Sequence, residues 1–246
     1  MSSNAKSFLN RLKDINDANT VTVKLPSSGK DVEFKLVSVM QQKAMLRTAF
    51  DGVDGVILRA VAANNIITEN ALGESEFLII DKPAIFTALR KKSLGTKIKI
   101  KDVEYDLDDA TPINVKDVKL KHVVEYEDIK IDLKIPTISI DSKVANKLAK
   151  EFGKLAAVED KLKQSLDIVI SHESAKYVDK VTLGEDSITF NDISVHERVD
   201  IVNNLPLAIN NKIVNYISEI KRVTDKAMTV AKEVVVEIDA SFLSAD

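Results

Sequence analysis

A chain of 246 residues, 45% hydrophobic and 30% charged, is long enough to bury a sizeable core and too apolar to remain disordered as a whole. Its 35 basic and 38 acidic side chains leave a net charge of −3, which provides no long-range field to draw a nucleic-acid backbone. The lack of cysteine excludes disulfides and thiolate metal sites, and the lack of tryptophan with only 5% aromatics ranks a sugar-stacking surface low.

The opening MSSNAKSFLNRLKDIND lacks the apolar stretch of a signal peptide, and no apolar run reaches membrane-spanning length, so a reducing cytoplasm and no membrane partner are expected. Residues 1–19 carry Phe8, Leu9, Leu12 and Ile15 at helical spacing, with Lys6, Arg11, Lys13 and Asp14 opposite; this predicts an amphipathic N-terminal extension. Residues 21–39 predict a β-hairpin. VTVKL and DVEFKLV alternate around PSSGK, where Pro26 fixes one φ and Gly29 accepts a positive one. Ser38 and Gln41 form a capping box for a helix through VMQQKAMLRTAF, with Val39, Met45, Leu46 and Ala49 on one side and Gly52 and Gly55 ending it. A second helix covers VILRAVAANNII. Asp81 caps a third, with Pro83 in its first turn, Ile85, Phe86 and Leu89 on its apolar face, and Gly95 at its C-terminus.

From 96 to 140 the pattern turns to strands in KIKIKDVEYDL and IKIDLKIPTISI, with Pro136 at an edge or bend and VKDVKLKHVVEY as a further strand. From 141 it is mostly helical. Asp141 or Ser142 opens KVANKLAKEF, which stops near Gly153, and a longer helix covers 157–180. SITF is a short strand, Ser194 and Glu197 form a second capping box, a helix fills 207–228, and VVVEI closes as a strand. Such segregation predicts an α+β fold: an N-terminal β-hairpin and helices, central antiparallel strands, and a mostly helical C-terminal part with short strands. The expected division is 1–19 as the extension, 20–140 as an α/β lobe and 141–246 as a mainly helical lobe.

Chemistry-bearing patterns are sparse. His122, His172 and His196 are far apart, and HESAK is not a His-Glu-x-x-His helix because Lys176 stands at the last position. There is no Gly-x-Ser-x-Gly elbow, and PSSGK lacks the first glycine and the final hydroxyl of a phosphate loop. The carboxylates at 104–109 and 125–128 lack calcium-loop spacing and suit solvated strand edges; the lysines at 91–101 and 116–121 suit solvated faces. No catalytic residue, cofactor or metal is therefore expected, and nucleic acid is not an expected partner. The histidines with nearby carboxylates keep a metal-dependent enzyme as the alternative of another class, and the lysines at 91–101 keep a nucleic-acid binder as a weaker one.

The segment VTVKLPSSGKDVEFKLVSVMQQKAMLRTAF resembles the opening of the T-even-type phage baseplate hub assembly protein family. The Leu25-Pro26-Ser27 turn is kept with one extra serine before Gly29, Gln42-Lys43 stands for the usual Glu-Lys, and Leu46 follows. FLIIDKPAIFTALRKKSLG is similar to a further stretch of that family through Asp81, Leu89, Arg90, Ser93 and Gly95, and VVVEIDASFLSAD resembles a tail ending in Ser-Phe-Phe. The likeness spans about 20–244 and leaves the N-terminal helix unaccounted for. Many relatives carry Cys-x-x-Cys pairs, which are missing here, so no metal-stapled ribbon is expected.

The resemblance implies a structural or assembly protein of the hub of a contractile tail baseplate. It implies docking to other tail or baseplate proteins without catalysis, in the host cytoplasm during assembly, and leaves open residence in the virion tail baseplate; oligomerisation within the assembly fits that role. The alternative is a tail assembly chaperone that binds the tape measure protein and leaves the virion. Two docking surfaces are expected: the stripe of Phe8, Leu9, Leu12 and Ile15, and the turn of Pro26, Ser27, Ser28 and Gly29.

Overall fold

The structure, a computed structural model, describes residues 3–50, 52–73, 76–155, 161–239 and 241–244. Residues 157–160, where the start of the long C-terminal helix is expected, lie outside the described residues, as do the first two and last two residues.

Helix α1 (Ser3–Ala18) leads into strands β1 (Thr20–Lys24) and β2 (Asp31–Lys35), paired antiparallel from Thr20↔Lys35 to Lys24↔Asp31. Their alternation buries Val23, Val32 and Phe34 and leaves Thr22, Lys24, Asp31 and Glu33 in solvent. Ser38 starts helix α2 (Val39–Arg47): its Oγ accepts the Gln41 N–H and Gln41 Oε1 accepts the Ser38 N–H, at 3.2 and 3.0 Å. Val39 does not join the apolar side; it is exposed, and Met45 is the residue of this helix that reaches the core.

Gly52 and Gly55 do not end that helix. They lie in the opening turns of α3 (Gly52–Asn70), where Ile57 packs with Ala145, Leu148 and Phe152. Burial along this helix outweighs the roughly 1 kcal/mol by which glycine disfavours a helix. Strand β3 (Ala71–Leu72) joins β2 through Phe34↔Ala71. A 3-10 turn, Ile79–Asp81, precedes helix α4 (Lys82–Leu94), which ends at Gly95 with φ +89° as expected. The hairpin β4 (Lys97–Ile100) and β5 (Val103–Asp106) turns at Lys101 and Asp102, both left-handed, as a two-residue turn matched to strand twist demands.

Strands β6 (Lys121–Tyr126), β7 (Ile129–Lys134), β8 (Val178–Leu183) and β9 (Asp186–Thr189) form one antiparallel sheet in that order. Between β7 and β8 run helices α5 (Ile138–Leu155) and α6 (Lys161–Tyr177); α7 (Val195–Asn203) and α8 (Leu207–Ala227) follow β9. The short strands β10 (Thr229–Val230) and β11 (Val234–Val235) close the chain, so only the start of VVVEI is a strand.

Three further boundaries differ from expectation. Helix α5 begins at Ile138, with Thr137 Oγ1 accepting the Ile140 N–H at 3.2 Å, so Asp141 and Ser142 do not open it. It continues through Gly153 to Leu155. Residues 178–180 are strand rather than helix, because β8 completes its hydrogen bonds on β7.

The fold is α+β. One core joins Leu25, Phe34, Met45, Phe86 and Leu89 to Met228, Val236 and Phe242, so the chain end returns onto the N-terminal elements. A second gathers Ile131, Leu133, Tyr177, Phe190, Ile209, Ile213 and Tyr216 between the sheet and helices α6 to α8. The buried clusters thus draw on residues from both sides of position 140.

Candidate docking surfaces

Helix α1 presents Phe8, Leu9, Leu12 and Ile15 at 62%, 46%, 42% and 57% exposure. Among the described residues, none of the four joins a buried cluster. The base of the helix is held to the body by Lys35 Nζ on Asp17 Oδ1 at 2.9 Å, and Asn19 Nδ2 closes its last turn on the Ile15 carbonyl at 3.1 Å. A formed helix with an uncovered apolar stripe is the arrangement that helix-in-groove recognition uses.

The second expected surface is only partly available. The Leu25 N–H donates to the Lys30 carbonyl and the Gly29 N–H to the Leu25 carbonyl, each at 2.8 Å, with Gly29 at φ +69°. Ser28 and Gly29 are exposed, whereas Pro26 and Ser27 are half-buried. Ser27 is turned inward: its N–H donates to Asp81 Oδ1 at 2.9 Å and its Oγ to Asp81 Oδ2 at 2.7 Å. Pro26 and Gly29 also border an apolar groove of about 530 Å³ formed with Pro83, Ala88, Leu107 and Ile113.

Asp81 is fully buried and does not cap α4 with its side chain. Its Oδ2 accepts the Leu78 N–H at 2.9 Å, so one carboxylate joins the hairpin turn to the start of the α4 segment. Burial pushes its pKa above the ordinary carboxylate value, against the pull of the Ser27 and Leu78 donors. Asp81→Asn would aim an amide N–H2 at these donors. We expect a loss of about 1–3 kcal/mol, read from the urea midpoint.

Two further polar groups have roles that sequence reading missed. Arg90, 2% exposed, donates from Nη1 to the carbonyls of Phe242 and Ser244 at 2.6 and 3.0 Å, and from Nη2 to the Lys97 carbonyl at 2.6 Å. Asp141 accepts Lys82 and Lys176 ammonium groups at 2.6 and 2.7 Å and the Asn64 amide at 2.9 Å. Folding brings two of the three histidines to one cleft of about 300 Å³. There His172 Nε2 lies 3.2 Å from Glu151 and His196 Nε2 3.4 Å from Asp200, while His122 stacks on Tyr216. Among the described residues, no group of three or more His, Asp or Glu is placed to hold a metal. Lys91, Lys97 and Lys99 lie against Asp108, Asp106 and Asp102 at 2.5, 3.1 and 3.3 Å.

Residues 18–238 match the profile of the family described as T4 bacteriophage base plate protein. The chain belongs to this family. No curated protein and no solved structure matches it. In this baseplate protein the family match begins where α1 ends, so the helix bearing the uncovered stripe precedes the matched region. The hairpin turn, Asp81, Arg90 and both capping boxes lie inside it. No helix among the described residues is long and apolar enough to cross a membrane.

Proposed function

We propose that this baseplate protein is a structural or assembly component of the hub of a contractile phage tail, working by docking to other tail or baseplate proteins without catalysis. It acts in the host cytoplasm during assembly and stays in the tail baseplate. The observation that carries this is α1: a formed helix whose four large apolar side chains are left in solvent. Covering what remains exposed of them on a partner is worth roughly 3–6 kcal/mol before the costs of association. The exposed tip of the hairpin, Ser28 and Gly29, is the second docking point.

The test is removal of residues 1–19. Because these side chains touch no core, the shortened protein is expected to keep its thermal unfolding transition and to lose most of its affinity for purified baseplate partners. Full affinity with an intact transition would refute α1 docking. Mass spectrometry of purified tails separates a resident part from a departing chaperone: the chain recovered with the baseplate supports residence, and its absence supports the chaperone role.

A further inference from the structure

A second apolar groove lies at the open end of the four-stranded sheet. Pairing of Ile129 with Leu183 and of Val181 with Ile188 places these four side chains on one face. Ile131, further along the same face, is fully buried, yet Leu183 and Ile188 are 53% and 45% exposed. The helices therefore cover this face only part of the way. Ile201 and Leu205, at the end of α7 and just beyond it, form the opposite wall, giving a groove of about 450 Å³. Two carboxylates, Asp186 and Asp200, line it.

Helix α1 has the complementary shape and charge. At about 100° per residue, Phe8, Leu9, Leu12 and Ile15 fall within roughly one third of the helix circumference. Arg11, exposed, lies about 40° beyond Ile15 and borders this stripe, while Lys6, Asp14 and Asp17 lie farther round the helix. An apolar ridge edged by the Arg11 cation thus complements an apolar groove edged by two carboxylates. In its own chain the helix is tethered to β2 through Lys35 and Asp17, and its stripe remains uncovered, so the groove of the same chain is not its occupant.

We propose that α1 of one copy docks into the groove of a second copy. This rests on the reading of α1 as a docking helix and names its partner. Donor and acceptor patches differ, so the contact is head-to-tail rather than self-complementary, and one copy can donate and accept at once.

Sedimentation of the full chain at increasing concentration tests this, with Leu12→Asp and Ile188→Asp as variants at exposed positions. The unaltered chain is expected to self-associate, and each variant to weaken that association by roughly tenfold or more. Mixing the two variants should restore a one-to-one complex, because each supplies the half that the other lacks. A monomeric unaltered chain, an association indifferent to Ile188→Asp, or variants that fail to recombine would each overturn the proposal. Ile188→Asp leaves α1 intact, so capture of other baseplate proteins by this variant reports on the docking role of α1 alone.

Discussion

Replacing Asp141 by alanine is expected to destabilise the protein by about 3–5 kcal/mol, a large share of the roughly 5–15 kcal/mol that holds a domain folded. The carboxylate is 5% exposed, and its partners Lys82 and Lys176 are 19% and 11% exposed. It bridges α3, α4, α5 and α6 through Asn64, Lys82 and Lys176; Lys176 also pairs with Glu173. Alanine would leave the half-buried Lys82 ammonium without this counter-charge and Lys176 with Glu173 alone. Urea unfolding measures the loss, and a change below about 1 kcal/mol would show that the cluster does not hold the helices together.

The same cluster sets an acid response. Burial alone would raise the Asp141 pKa, but the Lys82 and Lys176 charges outweigh it and hold the carboxyl well below its ordinary value of 3.8. A depressed folded pKa contributes stability in full above the unfolded value and loses it as pH falls toward the folded one. Stability should therefore decline from about pH 5 downward. Asp81, whose pKa is raised, titrates in the opposite sense, so the slope of the intact protein is a net value. The difference between the intact protein and Asp141→Ala, followed from pH 6 to acid, isolates the cluster.

Arg90→Ala is expected to cost about 3 kcal/mol or more and to release the C-terminal segment. The guanidinium holds the backbone carbonyls of Lys97, Phe242 and Ser244, and its carbon lies 5.8 Å from the centre of the Phe242 ring. Phe242 is fully buried, edge-on to Phe86 at 6.4 Å. Losing the arginine leaves the buried Phe242 carbonyl without this donor, a penalty of about 1–3 kcal/mol, and opens space in the first core. Arg90→Lys should restore little, because a single ammonium cannot reproduce the fork that spans three carbonyls. Limited proteolysis reads the result: cleavage within 239–244 should appear in both variants before global unfolding, and unchanged protection there would refute the clamp.

Both capping boxes were legible because Ser38 with Gln41 and Ser194 with Glu197 close within one turn of chain. The β1–β2 hairpin was equally local, through alternation and a Pro/Gly turn. Asp81 and Asp141 were misread for one reason. Aspartate favours helix starts, and each stands near one, but Asp81 answers to Ser27 54 positions away, and Asp141 to Lys82 and Lys176, 59 and 35 away. Residues 178–180 were read as the end of a helix, but the edge of β7 draws them into β8, with an irregularity in the register beside Leu133. Ser27 looked like a surface serine of an exposed turn until Asp81 drew it inward.

By itself, the sequence determined the absence of thiol chemistry, the two capping boxes, the β1–β2 hairpin, the amphipathic α1 and the likeness to a baseplate family. These depend on residue identity or on neighbours within a turn or two. Only the tertiary structure decided which polar groups are buried together, how Arg90 ties the tail to α4, and that the α1 stripe and the sheet groove are both left uncovered. Burial of this kind is settled by contacts between residues far apart in the chain, whose free energies outweigh local preference wherever the two conflict.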